Sequence, residues 1–367
     1  MFPNRTLNSS RDKLGHSQSE YCIINQSIEF SEMSMSFREF YNDVIPNELA
    51  AARYMTQRGL LVEPEDVAPC HLCGGEMRRV PRRNRGNLMY IMRCRRRGCQ
   101  TTRSIRDSNR FLHYNDRNNR INSNLKLWQI LELSFCFVLE MKIDDVVQRT
   151  HHSRQTIVDW FCMCREVCSS AVLDNRNMMV GTADNPIQID ESRFAGKRKY
   201  NAGRMLAGDR APEERDAEVL VENNRNHGNR VDGPWCFGLK QGDDHRYFYV
   251  ERRNRATLNP IIEANCAPGS VIHSDEWAAY RNLSDIGYVH ETVNHQLNYR
   301  DPDTGAHTQA IERSWLDAKT RIMKRMRGVP DYHLQGHLDH FCWSKLRRNE
   351  PDLFVAFLND MGQLYRN

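Results

Sequence analysis

The spacing of apolar positions changes period partway along the chain. Between Glu48 and Gly59, Leu49, Ala52 and Met55 recur at helical intervals with Gly59 as a stop, which predicts a short helix. From Leu125 to Leu139, the positions Leu125, Trp128, Leu131, Phe135, Val138 and Leu139 predict a second helix that must pack on something. A short helix from Ile143 to Arg149 follows, and Ser153 is placed to N-cap a third that runs to Leu173. Beyond residue 180 the apolar runs shorten. Ile187–Asp190, Trp235–Leu239, Tyr247–Glu251, Ser270–Ser274 and Tyr288–Val293 read as strands, with Gly242-Asp243-Asp244 as the turn between the second and third. Helices are predicted at Thr257–Cys266, Trp277–Leu283 and Thr308–Arg327, giving an α/β layout around a mixed sheet.

At 367 residues the chain should form more than one core. The patterning divides it into a flexible tail (1–35), a short helix with a cysteine-rich ribbon (36–110), a helical domain (111–180), an α/β domain (181–345) and a C-terminal helix (346–367). The segment from Arg198 to Val231 is polar and glycine-rich, and reads as a long loop or insertion. No run approaches the roughly 18 apolar residues of a membrane span, and the start MFPNRTLNSSRDK has no apolar signal core. A reducing compartment is therefore expected, in which the twelve cysteines serve as metal ligands or small buried hydrophobes.

Charge sharpens this picture. The net charge is only +5, yet Arg78 to Arg120 holds fourteen arginines against Asp107 and Asp116, so this segment carries +12 and the remainder −7. Such a concentration is the footprint of phosphate-backbone binding, although a solvated face or an import signal would look the same. Cys70-His-Leu-Cys73 lies just before the block and Cys94-Arg-Arg-Arg-Gly-Cys99 inside it, twenty residues apart. Two cysteine pairs on turns at a hairpin's separation can place four thiolates around one structural Zn²⁺, as in a zinc ribbon. His71, between two better ligands, is expected to point away. Arg78, Arg79, Arg82, Arg83, Arg95, Arg96 and Arg97 interleave with the ribbon, which makes a nucleic-acid-facing platform the preferred reading.

The helices after the ribbon follow the order helix, short helix, turn, helix of a helix-turn-helix. Ser153, Arg154, Gln155 and Thr156 at the start of the last one would face base edges or phosphates, whereas an ordinary three-helix bundle has the same pattern. Cys164 and Cys168 share a face of that helix and read as core.

In the α/β half, Asp190 ends the first strand, Asp275 ends a later strand, and Glu312 lies near the start of the last long helix. Carboxylates on rigid elements can converge at one sheet edge and hold two Mg²⁺ or Mn²⁺ ions per site, which activate a water and stabilise a departing 3′ oxygen in phosphodiester cleavage. Each acid alone would more often be a solvated side chain or a cap; the set of three carries the reading. Glu191 should face away by strand alternation, and Glu276 and Asp317 rank below the three.

The motifs Ile189-Asp190-Glu191-Ser192-x-Phe194-x-Gly196-Lys197-Arg198-Lys199-Tyr200, Ser274-Asp275 and His307-Thr308-x-x-Ile311-Glu312-x-x-Trp315, behind a ribbon and a helix-turn-helix, resemble the Merlin superfamily of DNA transposons and related bacterial insertion-sequence transposases. The likeness spans about Ser36 to Phe341. It implies a ribonuclease H-like catalytic domain with an acidic triad at Asp190, Asp275 and Glu312, and a cut-and-paste reaction on terminal inverted repeats. Lys197, Arg198 and Lys199 match a basic run that holds DNA near the site, Gln309 stands where many relatives have asparagine, and His307 has either an orienting or a structural role. The partners implied are double-stranded DNA, as transposon ends and target, and at least one further copy of the chain, since two ends must be paired. The compartment implied is the nucleus, or the cytoplasm of a prokaryotic host. Three rivals stand beside this reading: a domesticated DNA-binding protein that no longer transposes, a structure-selective nuclease of the same fold, and a zinc-ribbon transcription regulator, which would have no need of the α/β half.

Overall fold

The computed structural model describes residues 35–62, 66–84, 87–107, 109–112, 125–194, 234–294, 300–302, 304–326 and 328–365. Ser36 opens the first turn α1 (Phe37–Glu39) with a capping box, and the chain continues as a π turn over Phe40–Val44. Helix α2 (Glu48–Gln57) is capped by the Asn47 side chain, which accepts from the Ala50 N–H at 3.0 Å. Strands β1 (Met77–Asn84), β2 (Asn87–Cys94) and β3 (Thr102–Ser104) form an antiparallel three-stranded ribbon. Strand β2 carries the apolar run Met89-Tyr90-Ile91-Met92, whereas β1 is written in arginine with a proline at Pro81.

Three helices follow as the sequence predicts: α3 (Leu127–Val138), α4 (Ile143–Thr150) and α5 (Arg154–Asp174). The α4–α5 turn forms because His151 takes a left-handed conformation (φ 55°) and Ser153 accepts from the Thr156 N–H at 3.1 Å. Cys164 and Cys168 are fully buried, as core residues should be. Glu48 ties the ribbon to the helices. Its carboxylate accepts twice from the Leu127 N–H, at 3.2 and 3.0 Å, and lies 3.8 Å from buried Arg106.

The second half is a five-stranded mixed sheet in the order β6-β5-β4-β7-β8: β4 (Ile187–Arg193), β5 (Trp235–Gln241), β6 (Asp244–Val250), β7 (Val271–Asp275) and β8 (Val289–Val293). The first three strands pair antiparallel, and β4–β7 and β7–β8 pair parallel. This mixed α/β arrangement is consistent with the ribonuclease H-like domain expected from the sequence. Helix α6 (Arg255–Asn265) covers one face, over a core of Ile187, Ile189, Phe237, Leu258, Ile262 and Tyr280. Helix α7 (Gln309–Lys319) lies on the other face, whose core runs without a break into that of the helical half.

Two expected helices came out differently. Trp277–Leu283 yields only a 3-10 turn at Ala278–Tyr280, because the Asp275 carboxylate takes the Trp277 N–H (3.0 Å) and starts a tight turn. The predicted Thr308–Arg327 helix is α-helical only to Lys319 and winds on as a π-helix through Thr320–Arg325. Helix α8 (Asp331–Leu346) was not anticipated, and the C-terminal helix α9 starts at Leu353 rather than 346. Both fold back on the earlier half: α8 packs against α5 and β6, and α9 against α5 and α3, with Phe354 edge-on to Phe40 at 5.4 Å.

The contact that seats α7 is aromatic. Trp315 stacks on Tyr247 of β6 at 4.0 Å, and Tyr247 stacks in turn on Phe341 of α8 at 5.7 Å. Gly238 of β5 makes room for the pair: a Cβ there would sit 2.5 Å from Trp315 Cζ2 and 3.0 Å from the Tyr247 ring. Gly238→Ala is expected to lower stability by about 1–3 kcal/mol. Trp315→Phe, which lacks the clashing carbon, should restore part of that loss in the double variant. Denaturant midpoints check both, and an unshifted midpoint for the single variant would contradict this packing.

Candidate active site

The two aspartates are placed by strand register. Ile187 lies opposite Ile272 and Gln188 opposite His273 on the parallel pair β4–β7. Continuing that register sets Asp190 level with Asp275, on strands about 4.8 Å apart; Asp275 ends β7 as expected, whereas Asp190 lies mid-strand, because the pairing with β5 carries β4 on to Arg193. Gln188 and Asp190 share a face by alternation, and it is the face that α7 crosses.

Helix α7 is fixed over this edge by a cap borrowed from the sheet. Thr308 stands at its N-cap but makes no side-chain cap bond; its hydroxyl instead donates to Glu312 Oε1 at 2.7 Å. Buried Gln188 supplies the cap, its Oε1 accepting from the Ile311 N–H at 3.0 Å while its amide nitrogen lies 3.1 Å from His307 Nδ1. The His307 N–H donates to His273 Nδ1 at 3.3 Å, and His273 Nε2 is 3.0 Å from Glu291. His307 is thereby a structural member of this chain of contacts.

Asp190 registers the other two acids. Burial first, then the charges of Asp275 and Glu312, push its carboxyl up to about 7. Lys319, two turns beyond Glu312 on α7, acts in the opposite sense on Asp190, and its own pKa is lowered by burial. Asp275 is oriented by the Trp277 N–H. Glu191 faces the α6 side as alternation predicts: burial raises its carboxyl to about 8, and the Tyr280 hydroxyl donates to it. Glu276 is exposed and accepts from Asn294 at 2.7 Å, and Asp317 pairs with Arg313 and Lys345 at 3.7 and 3.6 Å. Gln309 is exposed.

Among the described residues, the four thiols of Cys70, Cys73, Cys94 and Cys99 are the one group of three or more His, Cys, Asp or Glu whose ligand atoms all lie within 4.8 Å of one another. The three carboxylates stand further apart, as like charges held on separate rigid elements should. Their hard oxygen donors suit Mg²⁺ or Mn²⁺.

The cysteine group could hold a metal. Cys73 and Cys94 sulfurs are 3.4 Å apart and Cys70 and Cys99 sulfurs 3.7 Å, against an edge of about 3.8 Å for four thiolates 2.3 Å from one centre. Gly75 leaves that space open, since a Cβ there would come within 3.1 Å of Cys94 Sγ and 3.2 Å of Cys73 Sγ. Backbone N–H groups of Leu72 and Cys73 pull the Cys70 thiol down to about 6, and the Thr101 hydroxyl lowers that of Cys99. His71 is exposed, turned away from the thiols.

The predicted DNA contacts divide into open and occupied groups. Arg78, Arg82 and Arg97 are exposed on the ribbon. Arg95 is also exposed but forms an ion pair with Glu76 at 2.9 Å, Arg96 braces the Cys73 carbonyl at 2.9 Å, and Arg79 donates to Thr56 and Val62 of the preceding segment. Arg83 lies on β1. At the start of α5, Ser153, Arg154 and Gln155 are exposed and Thr156 half-buried; Arg154 pairs with Asp144, and Gln155 donates to Asp159 at 2.7 Å. Lys197, Arg198 and Lys199 lie outside the described residues.

Residues 182–345 match the family described as the ISXO2-like transposase domain, a span that contains Asp190, Asp275 and Glu312 and supports a DDE transposase family. No curated protein and no solved structure matches the chain. No described helix is long and apolar enough to cross a membrane.

Sequence reasoning missed Gln188 and Lys319. Both carry a signal in retrospect, since Gln188 is two residues before Asp190 on the same strand face and Lys319 is seven after Glu312 on the same helix face. Gln188→Leu should cost about 1–3 kcal/mol by stranding the Ile311 N–H. Faster hydrogen exchange at the Ile311 amide, beside a lower unfolding midpoint, is the expected result; unchanged exchange would remove Gln188 as the cap.

Proposed function

We propose that this chain is a cut-and-paste DNA transposase that binds terminal inverted repeats, cleaves the DNA, and joins the freed 3′ hydroxyl ends to target DNA. The observation that carries this reading is the level placement of Asp190 and Asp275 on neighbouring parallel strands, with Glu312 close enough to act on Asp190. The match of this half to a transposase domain family supports it, and its motifs favour the Merlin superfamily within that class.

In this reading Asp190, Asp275 and Glu312 would hold the divalent cations. Two divalent cations would supply activation of the attacking water or 3′ hydroxyl and neutralisation of the leaving oxygen. The chain's own residues prepare the geometry. The Trp277 N–H and the Thr308 hydroxyl each hold one carboxylate oxygen, and the borrowed cap at Gln188 fixes the helix that presents Glu312. Lys319 offsets part of the negative charge beside Asp190.

The four cysteines are assigned to one structural Zn²⁺, which holds the ribbon's arginines in place. Arg78, Arg82 and Arg97 on the ribbon and the start of α5 are read as DNA-facing, α4 and α5 acting as a helix-turn-helix, with Lys197, Arg198 and Lys199 added near the site. The active assembly is at least a dimer, and it works in the nucleus, or in the cytoplasm of a prokaryotic host.

With Mn²⁺ and duplexes bearing the DNA that borders its own coding sequence, the protein should nick at the element ends. Asp190→Asn, Asp275→Asn and Glu312→Gln should each reduce that rate by about a thousand-fold or more while leaving duplex binding intact. Binding without cleavage by the unaltered protein would favour a domesticated DNA-binding protein instead. For the ribbon, elemental analysis should find one zinc per chain, lost in Cys73→Ser together with duplex affinity; a full complement of zinc in that variant would remove the assignment.

A further inference from the structure

The edge of the sheet that carries Asp190 and Asp275 also carries a group that the sequence did not single out. Trp235 begins β5 and pairs with Arg193 at the carboxyl end of β4 and with Val250 at the end of β6. Arg253 follows β6 by three residues, and Trp277 follows Asp275 by two. The three side chains meet. The Arg253 guanidinium carbon lies 4.3 Å from the centre of the Trp235 ring and 4.0 Å from that of Trp277. The Trp277 indole N–H donates to the Arg253 carbonyl at 3.0 Å, which ties the stack to the loop that bears it.

Packing of this kind decides what the arginine can still do. Indole rings cover the flat surface of a guanidinium by cation–π contact and leave the five N–H donors around its edge. Among the described residues none of those donors makes a hydrogen bond or ion pair; the charge of Arg253 acts on the Glu191 carboxylate, on the opposite side of β4 from Asp190. A half-buried arginine held by two aromatic rings is a poor choice for mere solubility, since a lysine or glutamine would serve. It is well suited to a doubly bonded anion, because its donors are fixed before the ligand arrives. Exposed Arg252 and Arg255 flank it, so this rim is basic whereas the centre beside it is acidic.

We propose that Arg253, clamped by Trp235 and Trp277, is a positioning residue that grips a backbone phosphate of the DNA strand near the scissile bond. This rests on the transposase reading above. Trp277 is two residues from Asp275, a span of at most about 7 Å along the backbone. With the stacking distance added, the guanidinium reaches a phosphate on the order of two to four nucleotides from the cleavage point, at a rise of 3.4 Å per nucleotide. Fixing that phosphate sets the strand's register over the carboxylates, which a mobile surface lysine would not do.

The test uses the full-length protein and duplexes from the DNA bordering its own coding sequence, in two measurements. The first is the dependence of duplex affinity on salt. Arg253→Ala and Arg253→Gln should each lower the slope of log K against log salt by about one, and the affinity near physiological salt by about five-fold. Arg253→Gln keeps a planar group between the indoles, so it decides the matter if the alanine variant folds poorly. The second is Mn²⁺-dependent cleavage of duplexes in which single phosphates near the scissile bond are replaced by neutral methylphosphonates. One such replacement should slow the unaltered protein and have no further effect on Arg253→Gln. If the glutamine variant keeps the full salt slope and the same pattern of phosphate sensitivity, Arg253 is a packing residue and the proposal falls. If the slope drops by one but the unaltered protein does not cleave with Mn²⁺, the phosphate contact stands and the transposase reading fails.

Discussion

The parallel pairing of β4 with β7 is the constraint on which the site depends. Residues 85 positions apart arrive at the same height because Ile187 and Gln188 are locked opposite Ile272 and His273. A slip of one residue would turn one aspartate to the other face, and with it the apolar set that α6 covers. Ile187, Ile189 and Ile272 are wholly buried under α6, so the slip would also turn the two isoleucines of β4, or the one of β7, out of the core. The core therefore enforces the register, and the register places the acids. Crowded carboxylates favour separation, so the frame that holds them must be stabilised by something other than themselves.

That stabilisation comes from the α7 side. Trp315 fits only because residue 238 has no side chain, and the first turn of α7 is capped by Gln188 from the strand that carries Asp190. One strand thus holds both an acid and the anchor of the helix that presents another. The same face of the sheet runs on into the helical half, through Tyr247, Phe341 and α8 to α5. A DNA contact on α5 or the ribbon would consequently be referred to the acidic edge through packed side chains rather than through a linker.

How much of this could be read from the sequence depended on whether one face of an element met water. The strands and the positions of Asp190 and Asp275 were legible because short apolar runs end abruptly in acids. The α3–α5 order was legible from helical spacing and from Ser153 as a cap. Helix α8 was not, because it is wedged between α5 and β6 and buries Asp339 and His340 along with Leu334, Leu338 and Phe341, so no polar stripe marks it. The turn after β7 was misread as a helix because local propensity says nothing about a carboxylate capturing its neighbour's N–H. Gln188, Lys319 and Arg253 were passed over for a different reason: each acquires its role from a partner far away in sequence, and the spacing of Gln188 from Asp190 and of Lys319 from Glu312 gains meaning only once that partner is in place. The four cysteines needed no such partner, and their pairwise spacing alone foretold the cluster.

Charge is separated in the fold as it is in the sequence. The segment from Arg78 to Arg120 carries +12 and the rest of the chain −7, with the acids of the site gathered at a single sheet edge. A polyanion is drawn to the ribbon at long range and repelled by the carboxylates at short range, and the two effects differ in reach because salt screens the first over roughly 10 Å. Binding and chemistry should then respond to different variables. In the proposed function, affinity for DNA would follow the arginines and fall with salt, whereas approach of a phosphate to Asp190 would require that the charge of three acids be met locally. Lys319 meets a fraction of it from within the chain. A basic rim next to that edge would lessen the repulsion felt by a strand led past it, so the position of Arg253 makes electrostatic sense apart from any single contact it forms.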